Sequence, residues 1–484
     1  MEKENEASTP INKVNFGKSD RTYQYLATIS VCFAAVGAGT VLAWSSPALT
    51  ELASSNGLNS NNVTAIDNST IQNGSTIVLT KKEEALLGSI LNLGALMFAI
   101  PVGYIADKFG RKMAIYSSAV TFLLGWLFIV IANNLEILLL GRFFGGMGLG
   151  AICVVFPMYV GEIAEHSIRA TLSSYFQIFL SNGILLTFVI GALTDYVTMS
   201  VILSIFPLLL LVTFPFMPES HVHLAKIGKI KQAEKNLARF RGNKRNYDIQ
   251  GEMEVIKAEI NKGSESSSCS DIIMKKSSRR ALTAVLGLLA FQQFCGINAI
   301  TFYTEQIFEA AHTNVDPSTG AIVMSVLQCI GGFLAASVVE RAGRKYFLIL
   351  SSVGMLMGLF GLGMFFHFEK LNIRTSYFGF LPVCCAVMFI VAFTMGYGTV
   401  PYMLMHEMLS PEIRGIGSGM GIVLAWLSSF IVTYYFPISV VALGNYLTFY
   451  ILAVINALAI VFAVIFVPET RGKSLLEIQE LLEN

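Results

Sequence analysis

Twelve long apolar runs are the feature of this sequence that most limits how the chain can fold. They begin near Tyr25, Glu84, Met113, Glu136, Ala170, Met199, Ala281, Thr319, Tyr346, Phe378, Gly415 and Leu447. A helix needs about 20 apolar residues to cross the hydrocarbon of a bilayer. The chain is 54% hydrophobic and 13% charged, whereas soluble domains are about a quarter charged. The sequence therefore predicts an all-α membrane protein with twelve transmembrane helices in a lipid bilayer.

Basic residues predict the orientation of these helices. The loops at 107–112, 340–345 and 411–414 are basic, as is the long segment 221–280, and such loops stay on the cytoplasmic side. Both termini are then cytoplasmic, and the loop at 50–83 is extracellular. That loop contains three N-x-[ST] sequons, which are candidate glycosylation sites. The sequons are at Asn62, Asn68 and Asn73.

The long basic segment divides the chain into two halves of six runs each. The predicted order is a cytoplasmic N-terminus at 1–24, a six-helix bundle at 25–217, a cytoplasmic helical linker at 218–280, a second six-helix bundle at 281–467 and a cytoplasmic C-terminus at 468–484. Within the linker, "KIGKIKQAEKNLARFRGN" and "GEMEVIKAEINKG" read as amphipathic helices. The Ser-rich stretch after Gly263 reads as a flexible connector.

The two halves repeat each other. "YIADKFGRK" recurs as "SVVERAGRK", "PMYVGEIAEHSIRA" as "PYMLMHEMLSPEIRG", and "PES" as "PET", in the same order and at similar offsets. Each motif falls on the predicted cytoplasmic side in both halves, so the repeats are parallel. Transporters built in this way bind their substrate near the middle of the membrane, between the halves.

Acidic and basic residues recur at equivalent helix ends in the two halves. The candidate gating residues are Asp107, Arg111, Glu162, Arg169, Glu340, Arg344, Glu407 and Arg414. Charges that pair across these loop ends can hold the cytoplasmic side shut. The plainer interpretation is that they only stop each helix and orient it. Their duplication in four clusters favours gating.

One stretch, "FQQFCGINAITFY" at 291–303, places carboxamides in an apolar run. At 100° per residue, Gln292, Gln293 and Asn298 do not share one face of a straight helix. Gly296 permits a bend that would bring them to one cavity. Uncharged amides and the aromatic Tyr303 suit a polyol better than an ion. From the residues alone, amides that hold helices together remain an equal alternative.

Further polar residues and several absences narrow the function. Ser173, Gln177 and Ser181 form one polar stripe. Arg142, near the end of the fourth run, is expected to pair with a neighbouring helix. No carboxylate lies near the middle of any apolar run, which favours facilitated diffusion over proton coupling. The sequence has no phosphate-binding loop, metal-ligand spacing or nucleophile constellation, so no enzyme, cofactor or metal site is predicted. The net charge of +1 indicates no nucleic-acid partner.

These motifs together resemble the sugar porter family of the major facilitator superfamily. The matching segments are "GYIADKFGRK", "GRFFGGMGLG", "PMYVGEIAEHSIR", "QQFCGIN", "VERAGRK" and "PETRGKSLLEI". "LTKKEEALLGSILNLGAL" looks most like the insect facilitated trehalose transporter branch. The resemblance implies the major facilitator fold and sugar contacts at a set of matching positions. Those positions are Gln177, Gln292, Gln293, Asn298, Gln328, Tyr303, Trp426 and Tyr402.

The chain also departs from the family pattern. Tyr402 replaces the family's Trp, and Thr394 and Ala425 replace polar residues common near the sugar in glucose facilitators. The expected function is facilitative transport of a neutral sugar, trehalose or a hexose, across the plasma membrane. A carrier of another neutral solute, a proton-coupled sugar symporter and a non-transporting sugar sensor are the alternatives.

Overall fold

The computed structural model contains helices as its regular elements over the part of the chain that it describes. The structure describes residues 19–60, 77, 79–165, 167–242, 247–262, 275–312, 315–373, 378–471, 473 and 475–483. Side chains at 54–60, 259, 261–262, 335–342, 406, 411–412, 414 and 475–476 are outside this description. The three sequons at Asn62, Asn68 and Asn73 lie outside the described residues, as do the side chains of Glu340 and Arg414.

The helices follow the predicted order. In the first half they are α1 (Thr22–Ala43), α2 (Ser45–Ser60), α3 (Lys81–Lys108), α4 (Arg111–Val130), α5 (Leu135–Ile163), α6 (Arg169–Gly191), α7 (Tyr196–Leu203) and α8 (Ile205–Thr213). The linker contains α9 (His221–Lys226), α10 (Ile230–Phe240) and α11 (Ile249–Lys262). In the second half they are α12 (Lys276–Phe294), α13 (Ile297–Ala310), α14 (Pro317–Ala342), α15 (Arg344–Lys370), α16 (Leu381–Met395), α17 (Val400–Met408), α18 (Pro411–Leu443) and α19 (Asn445–Phe466). A last helix, α20 (Leu475–Glu483), follows.

Within the described residues, twelve stretches are long and apolar enough to cross a membrane, which confirms the predicted fold class. Four spans are pairs of consecutive helices: α1 with α2, α7 with α8, α12 with α13, and α16 with α17. The helix bounds differ from those implied by the predicted loop at 50–83. Helix α2 continues to Ser60, and α3 begins at Lys81. An even number of spans places both ends of the described chain on one side, called here the terminal face. The side that contains residues 192–195 is the loop face.

Close helix packing explains the glycines of "GRFFGGMGLG". Gly146 of α5 lies against the backbone of Leu91 in α3, and Gly94 of α3 lies against the backbone of Phe143 in α5. A Cβ at either glycine would overlap these carbonyl groups. Small residues let membrane helices approach in this way, so the glycines act in packing and not as a phosphate loop.

The linker helices pack on the terminal face of the first half. Their apolar sides form a small core of their own, made by Leu224, Ala225, Ala233, Leu237, Met253 and Ile256. Gln24 of α1 donates its amide to the carbonyl of Phe240 at 3.1 Å. Arg241 donates to the carbonyl of Ile163 at 3.0 Å and pairs with Glu252. The two predicted amphipathic helices are therefore present, and they are docked rather than free.

Candidate functional site

The carboxamides of the seventh span form one continuous hydrogen-bonded chain. Gln293 donates its amide nitrogen to Oε1 of Gln292 at 3.2 Å. Asn298 donates to Oε1 of Gln293 at 2.7 Å and to the hydroxyl of Ser429 in α18 at 2.6 Å. Gln292 is buried, whereas Gln293 and Asn298 remain partly exposed. The chain therefore presents neutral donors and acceptors that a ligand can reach.

A break at Gly296 brings these amides together. Gly296 separates α12 from α13 and has a φ of +94°, in the left-handed region that glycine adopts without a steric penalty. The break offsets Asn298 from the straight-helix position, so that its amide meets Gln293. The predicted bend is present at the residue that was expected to allow it.

A second break lies beside the first. Gln292 donates its amide nitrogen to the carbonyl of Tyr397 at 2.7 Å. Tyr397 lies between α16 and α17, where the helix is interrupted and backbone carbonyls are free to accept. Interrupted helices are tolerated at membrane depth only where their backbone groups find such partners. Gln292 therefore has a structural task, in addition to the sugar contact that the sequence predicts for it.

The other predicted sugar-contact residues lie on four further helices, and no hydrogen bond joins their side chains to the amide chain among the described residues. Gln328 of α14 is 4% exposed, and its Oε1 has no hydrogen-bond partner among the described residues. Gln177 of α6 is partly exposed, and α6 packs against α14 across the two halves. Trp426 lies three residues before Ser429 on α18 and is partly buried. Tyr402 of α17 is 41% exposed.

Tyr303 occupies a different position from the one expected for a sugar contact. It is 1% exposed, it stacks on Phe436 with ring centroids 5.6 Å apart, and its hydroxyl donates to the carbonyl of Thr433 at 3.2 Å. Gly88 of α3 lies directly against its hydroxyl. Tyr303 therefore packs at the contact between the halves, and its assignment as a sugar contact stays a prediction.

The halves are joined toward the loop face. Asn92 of α3 donates its amide to the hydroxyl of Thr433 in α18 at 2.9 Å. The backbone N–H of Glu305 donates to the hydroxyl of Ser46 at 3.0 Å. All four residues lie on the loop-face side of their spans, and the described charge pairs of the terminal face stay within one half each. The structure is therefore closed on the loop face.

On the terminal face, Arg111 is the centre of the first charge cluster. Its guanidinium donates to both oxygens of Glu162 at 2.8–3.0 Å and to Asp107 at 3.0 Å. Glu219 accepts from the backbone N–H groups of Arg111 and Lys112, each at 3.1 Å. Arg111 is thus the ionic partner of Glu162, whereas Arg169 donates to the carbonyl of Ala164 at 3.5 Å.

The second half repeats this arrangement. Arg344 donates to Glu407 at 3.0 Å, and Glu469 accepts from the backbone N–H groups of Arg344 and Lys345 at 3.1 and 3.2 Å. Thr470 donates its hydroxyl to Glu407 at 2.5 Å. In the first half, Ser220 likewise donates its hydroxyl to Glu162. The duplicated motifs therefore build the same cluster twice, and each cluster ties together helices of its own half.

Burial controls the ionisation of the groups around the first cluster. It raises the pKa of the Glu219 carboxyl, and the backbone N–H groups that Glu219 accepts from oppose this rise. Burial lowers the pKa of His221 to about 3, with Arg241 and Arg169 adding to the effect. The pKa of His223 is lowered by burial and by Arg111, whose guanidinium lies 3.2 Å from His223 Nδ1. Both histidines are therefore neutral in the folded protein at neutral pH.

Arg142 has the structural role that the sequence suggested. It is 1% exposed, lies over the ring of Trp44 at 5.1 Å and donates to the carbonyl of Val41 at 2.5 Å. It also donates to the carbonyl of Leu87 at 3.4 Å. Arg142 thus joins α5 to α1 and α3.

Sequence reasoning did not single out Ser429, Thr433, Asn92 or Glu305. Ser429 and Thr433 are four residues apart on α18, and polar residues at that spacing in an apolar run are the signal that could have found them. Glu305 was passed over because it lies near the end of its run. It is nevertheless only 3% exposed.

The fold and this geometry define a class: a twelve-span transporter of the major facilitator type, with neutral polar groups near a helix break. The chain matches the family model described as "Sugar (and other) transporter" over residues 31–482. It belongs to that family, the sugar porters of the major facilitator superfamily. Its function is sugar transport, and it is a multi-pass membrane protein rather than an enzyme.

Individual relatives agree with this membership. The facilitated trehalose transporter Tret1 of Apis mellifera ligustica is 33% identical over 461 residues, which cover 95% of this chain and 88% of that protein. Tret1 of Drosophila mojavensis is 31% identical over 459 residues, which cover 94% of this chain and 51% of that protein. The inward open xylose transporter XylE from E. coli has the same fold, with a TM-score of 0.77 at 23% identity over 95% of this chain and 100% of that chain.

Proposed function

We propose that this protein is a facilitative uniporter of a neutral sugar, trehalose or a hexose, in the plasma membrane. The observation that carries the proposal is the chain of neutral amides from Gln292 to Asn298, extended by Ser429 at a helix break. Sugar hydroxyls both donate and accept hydrogen bonds. A bound sugar can therefore replace each hydrogen bond between these amides with a hydrogen bond to one of its own hydroxyls. The likeness to facilitated trehalose transporters supports trehalose as one of the two sugars.

In this proposal the sugar is bound by Gln177, Gln293, Asn298 and Gln328, with Trp426 and Tyr402 as its aromatic neighbours. Gln328 supports this arrangement because its Oε1 lacks a hydrogen-bond partner among the described residues. A buried acceptor without a partner is unfavourable, and a sugar hydroxyl would relieve it. Gln292 contributes by holding the helix break in place, and Tyr303 joins the site when the loop face opens.

Transport would proceed by alternating access. The closed loop face, with Asn92 on Thr433, corresponds to the state in which the terminal face admits the sugar. The basic loops of the terminal face support a cytoplasmic position for both termini. The charge clusters around Arg111 and Arg344 would move as units and meet when the terminal face closes.

Uptake of labelled trehalose and glucose into oocytes tests the proposal. We expect at least one sugar to enter faster than in uninjected cells, and its rate to be unchanged by a protonophore at clamped voltage. Removing the amide in Asn298→Ala takes away two hydrogen bonds of about 0.6 kcal/mol each on average. With a lost sugar contact of similar strength, the total is about 1.8 kcal/mol, and uptake should fall by about twentyfold.

Asn133→Ala is the matched control, because Asn133 is an exposed amide in the loop before α5. Equal losses in both variants would contradict the assigned site. Entry of neither sugar would refute the proposed substrate, and uptake abolished by the protonophore would indicate symport instead.

A further inference from the structure

A cavity on the loop face lies between the two halves. Its volume is about 440 Å³. The first half contributes residues such as Thr50, Glu51 and Asp195, and the second half contributes Glu305 and Ser318. Among the described residues, the lining includes three carboxyl groups and no Lys, Arg or His. The cavity is therefore an acidic space at the contact that closes the loop face.

Glu305 is the buried member of this group. It is 3% exposed, and its Oε1 has no hydrogen-bond partner among the described residues. Its backbone N–H donates to Ser46 in the other half at 3.0 Å. The carboxyl group is thus buried at the point where α13 meets α2. Opening the loop face would separate these two helices and expose the group.

Four further carboxyl groups lie around Glu305 among the described residues. Glu51 lies on α2, Asp195 precedes α7, Asp316 precedes α14, and Glu309 is one turn further along α13. Glu51 and Asp195 are stabilised as acceptors of backbone N–H groups. The basic residues of the helices packed on α13 lie at the terminal-face ends of those helices, away from the cavity. They are Lys276, Arg279 and Arg280 of α12, Arg341 of α14 and Arg414 of α18. The remaining titratable groups on these helices are the neutral thiols and phenols of α1, α14, α16 and α18 and, at the terminal-face ends, Glu340 and Glu412.

An ionised carboxylate in this place is strongly disfavoured. Burial removes its water, no donor from the described part of the chain replaces that water at Oε1, and the surrounding carboxylates repel the charge. Protonation removes all three penalties at once. Closing the loop face and binding a proton at Glu305 are therefore linked, since each favours the other.

We propose that Glu305 is a proton-binding site that controls closure of the loop face. The carboxylate takes one proton from the water on that side as the face closes, and returns the proton to the same water as the face opens. No proton crosses the membrane, so the site regulates a uniporter without driving it. Acidic conditions outside favour the closed face, and alkaline conditions favour the open face. This inference uses the alternating access of the proposed function but does not depend on which sugar is carried.

A cysteine at the seal measures this equilibrium directly. Ser46 is 0% exposed at the contact with Glu305, so Ser46→Cys reacts with an impermeant maleimide only when the loop face opens. The background carries Cys384→Ser, because Cys384 is exposed. The labelling rate is divided by the rate of the same protein with Glu305→Gln at the same pH. This ratio cancels the pH dependence of the thiol itself.

We expect the ratio to rise at least about threefold between about pH 6 and pH 8, because a higher pH removes the proton that favours the closed face, while the amide of the Glu305→Gln variant stays neutral at every pH. Glu136→Gln, which removes an exposed carboxyl at the loop-face end of α5, should label like the parent. Glu305→Ala is a second neutral variant should the first reach the surface poorly. A flat ratio would overturn the proposal, and so would a loss of pH dependence in Glu136→Gln.

Sugar uptake separates this proposal from the proposed function. A labelling ratio that changes with pH, in a protein that carries neither sugar, would support the proton site and refute the assigned substrate. Sugar uptake with a flat ratio would do the reverse.

Discussion

The conformation of Gly296 is the most direct point at which to test how the amide chain is built. Its φ of +94° is available to glycine, and the left-handed conformation costs other residues about 1–2 kcal/mol. In Gly296→Ala, the new Cβ would also lie 3.0 Å from a terminal methyl of Leu452. That methyl ends a flexible side chain and can move by a few tenths of an ångström. The cost of the left-handed backbone conformation therefore sets the size of the expected loss of stability.

The variant can respond in two ways, and both reduce transport. Either the break persists and the folded state loses about 1–2 kcal/mol, or the break relaxes and Asn298 moves away from Gln293. Since about 1.4 kcal/mol corresponds to a tenfold change, the first response should lower the ratio of folded to unfolded protein about five- to thirtyfold, and the second should lower kcat/KM. A lower Tm would indicate the first response, and a normal Tm with a raised KM would indicate the second.

The assay is labelled-sugar uptake into proteoliposomes, with the amount of folded protein measured on the same preparation. Gly103→Ala is the control, because a Cβ at Gly103 would meet no atom within 4 Å and that glycine lies inside the regular helix α3. If Gly296→Ala transports and melts like the control, the break does not position the amides and the reasoning is refuted.

Two further predictions concern the terminal face. Arg111→Lys should lower the Tm, because Lys lacks the planar fork that donates to Glu162, and the loss should be about 1–3 kcal/mol. The same change at Arg344 should cost less, since the Arg344 side chain is 16% exposed against 2% for Arg111. His221, with its pKa lowered to about 3 by burial, should make unfolding easier as the pH falls below about 6.5, because only the unfolded chain then binds the proton. The slope should reach at most about 1.4 kcal/mol per pH unit, and His221→Phe should flatten it.

Specific outcomes would contradict the predictions for Arg111, Arg344 and His221. Equal Tm losses at Arg111 and Arg344 would show that burial of the guanidinium does not matter. Thermal melting of the parent and of His221→Phe across the acidic range compares their slopes directly. Parallel curves would mean that His221 takes up its proton in the folded state.

The apolar runs predicted the spans well because each helix depends on its own stretch of chain. All twelve spans begin within a few residues of their expected starts. The bend at Gly296 was predictable for a related reason, since the need for it followed from the angular positions of three nearby amides. The repeat also predicted that the two charge clusters would be built alike, and Arg344 with Glu407 matches Arg111 with Glu162.

Contacts between segments far apart in the sequence were harder to predict. Glu162 and Arg169 are close in sequence, but Arg111 reaches Glu162 because α4 begins beside the end of α5. Tyr303 was expected at the sugar, and it packs at the contact between the halves because α13 turns its aromatic face toward Gly88 of α3. The assignments of the sugar-contact and gating residues remain predictions for the experiments above.

The sequence by itself determined the number of spans, their order, the duplication and the neutral character of the amide chain. These properties depend on residue type and local spacing, which the sequence states directly. Only the tertiary structure decided that Ser429 completes the amide chain, that the Thr433 hydroxyl accepts a hydrogen bond from Asn92, and that Glu305 is buried between the halves. Such contacts depend on which faces of distant helices pack together. The sequence of a single helix does not specify which other helix each of its faces will contact.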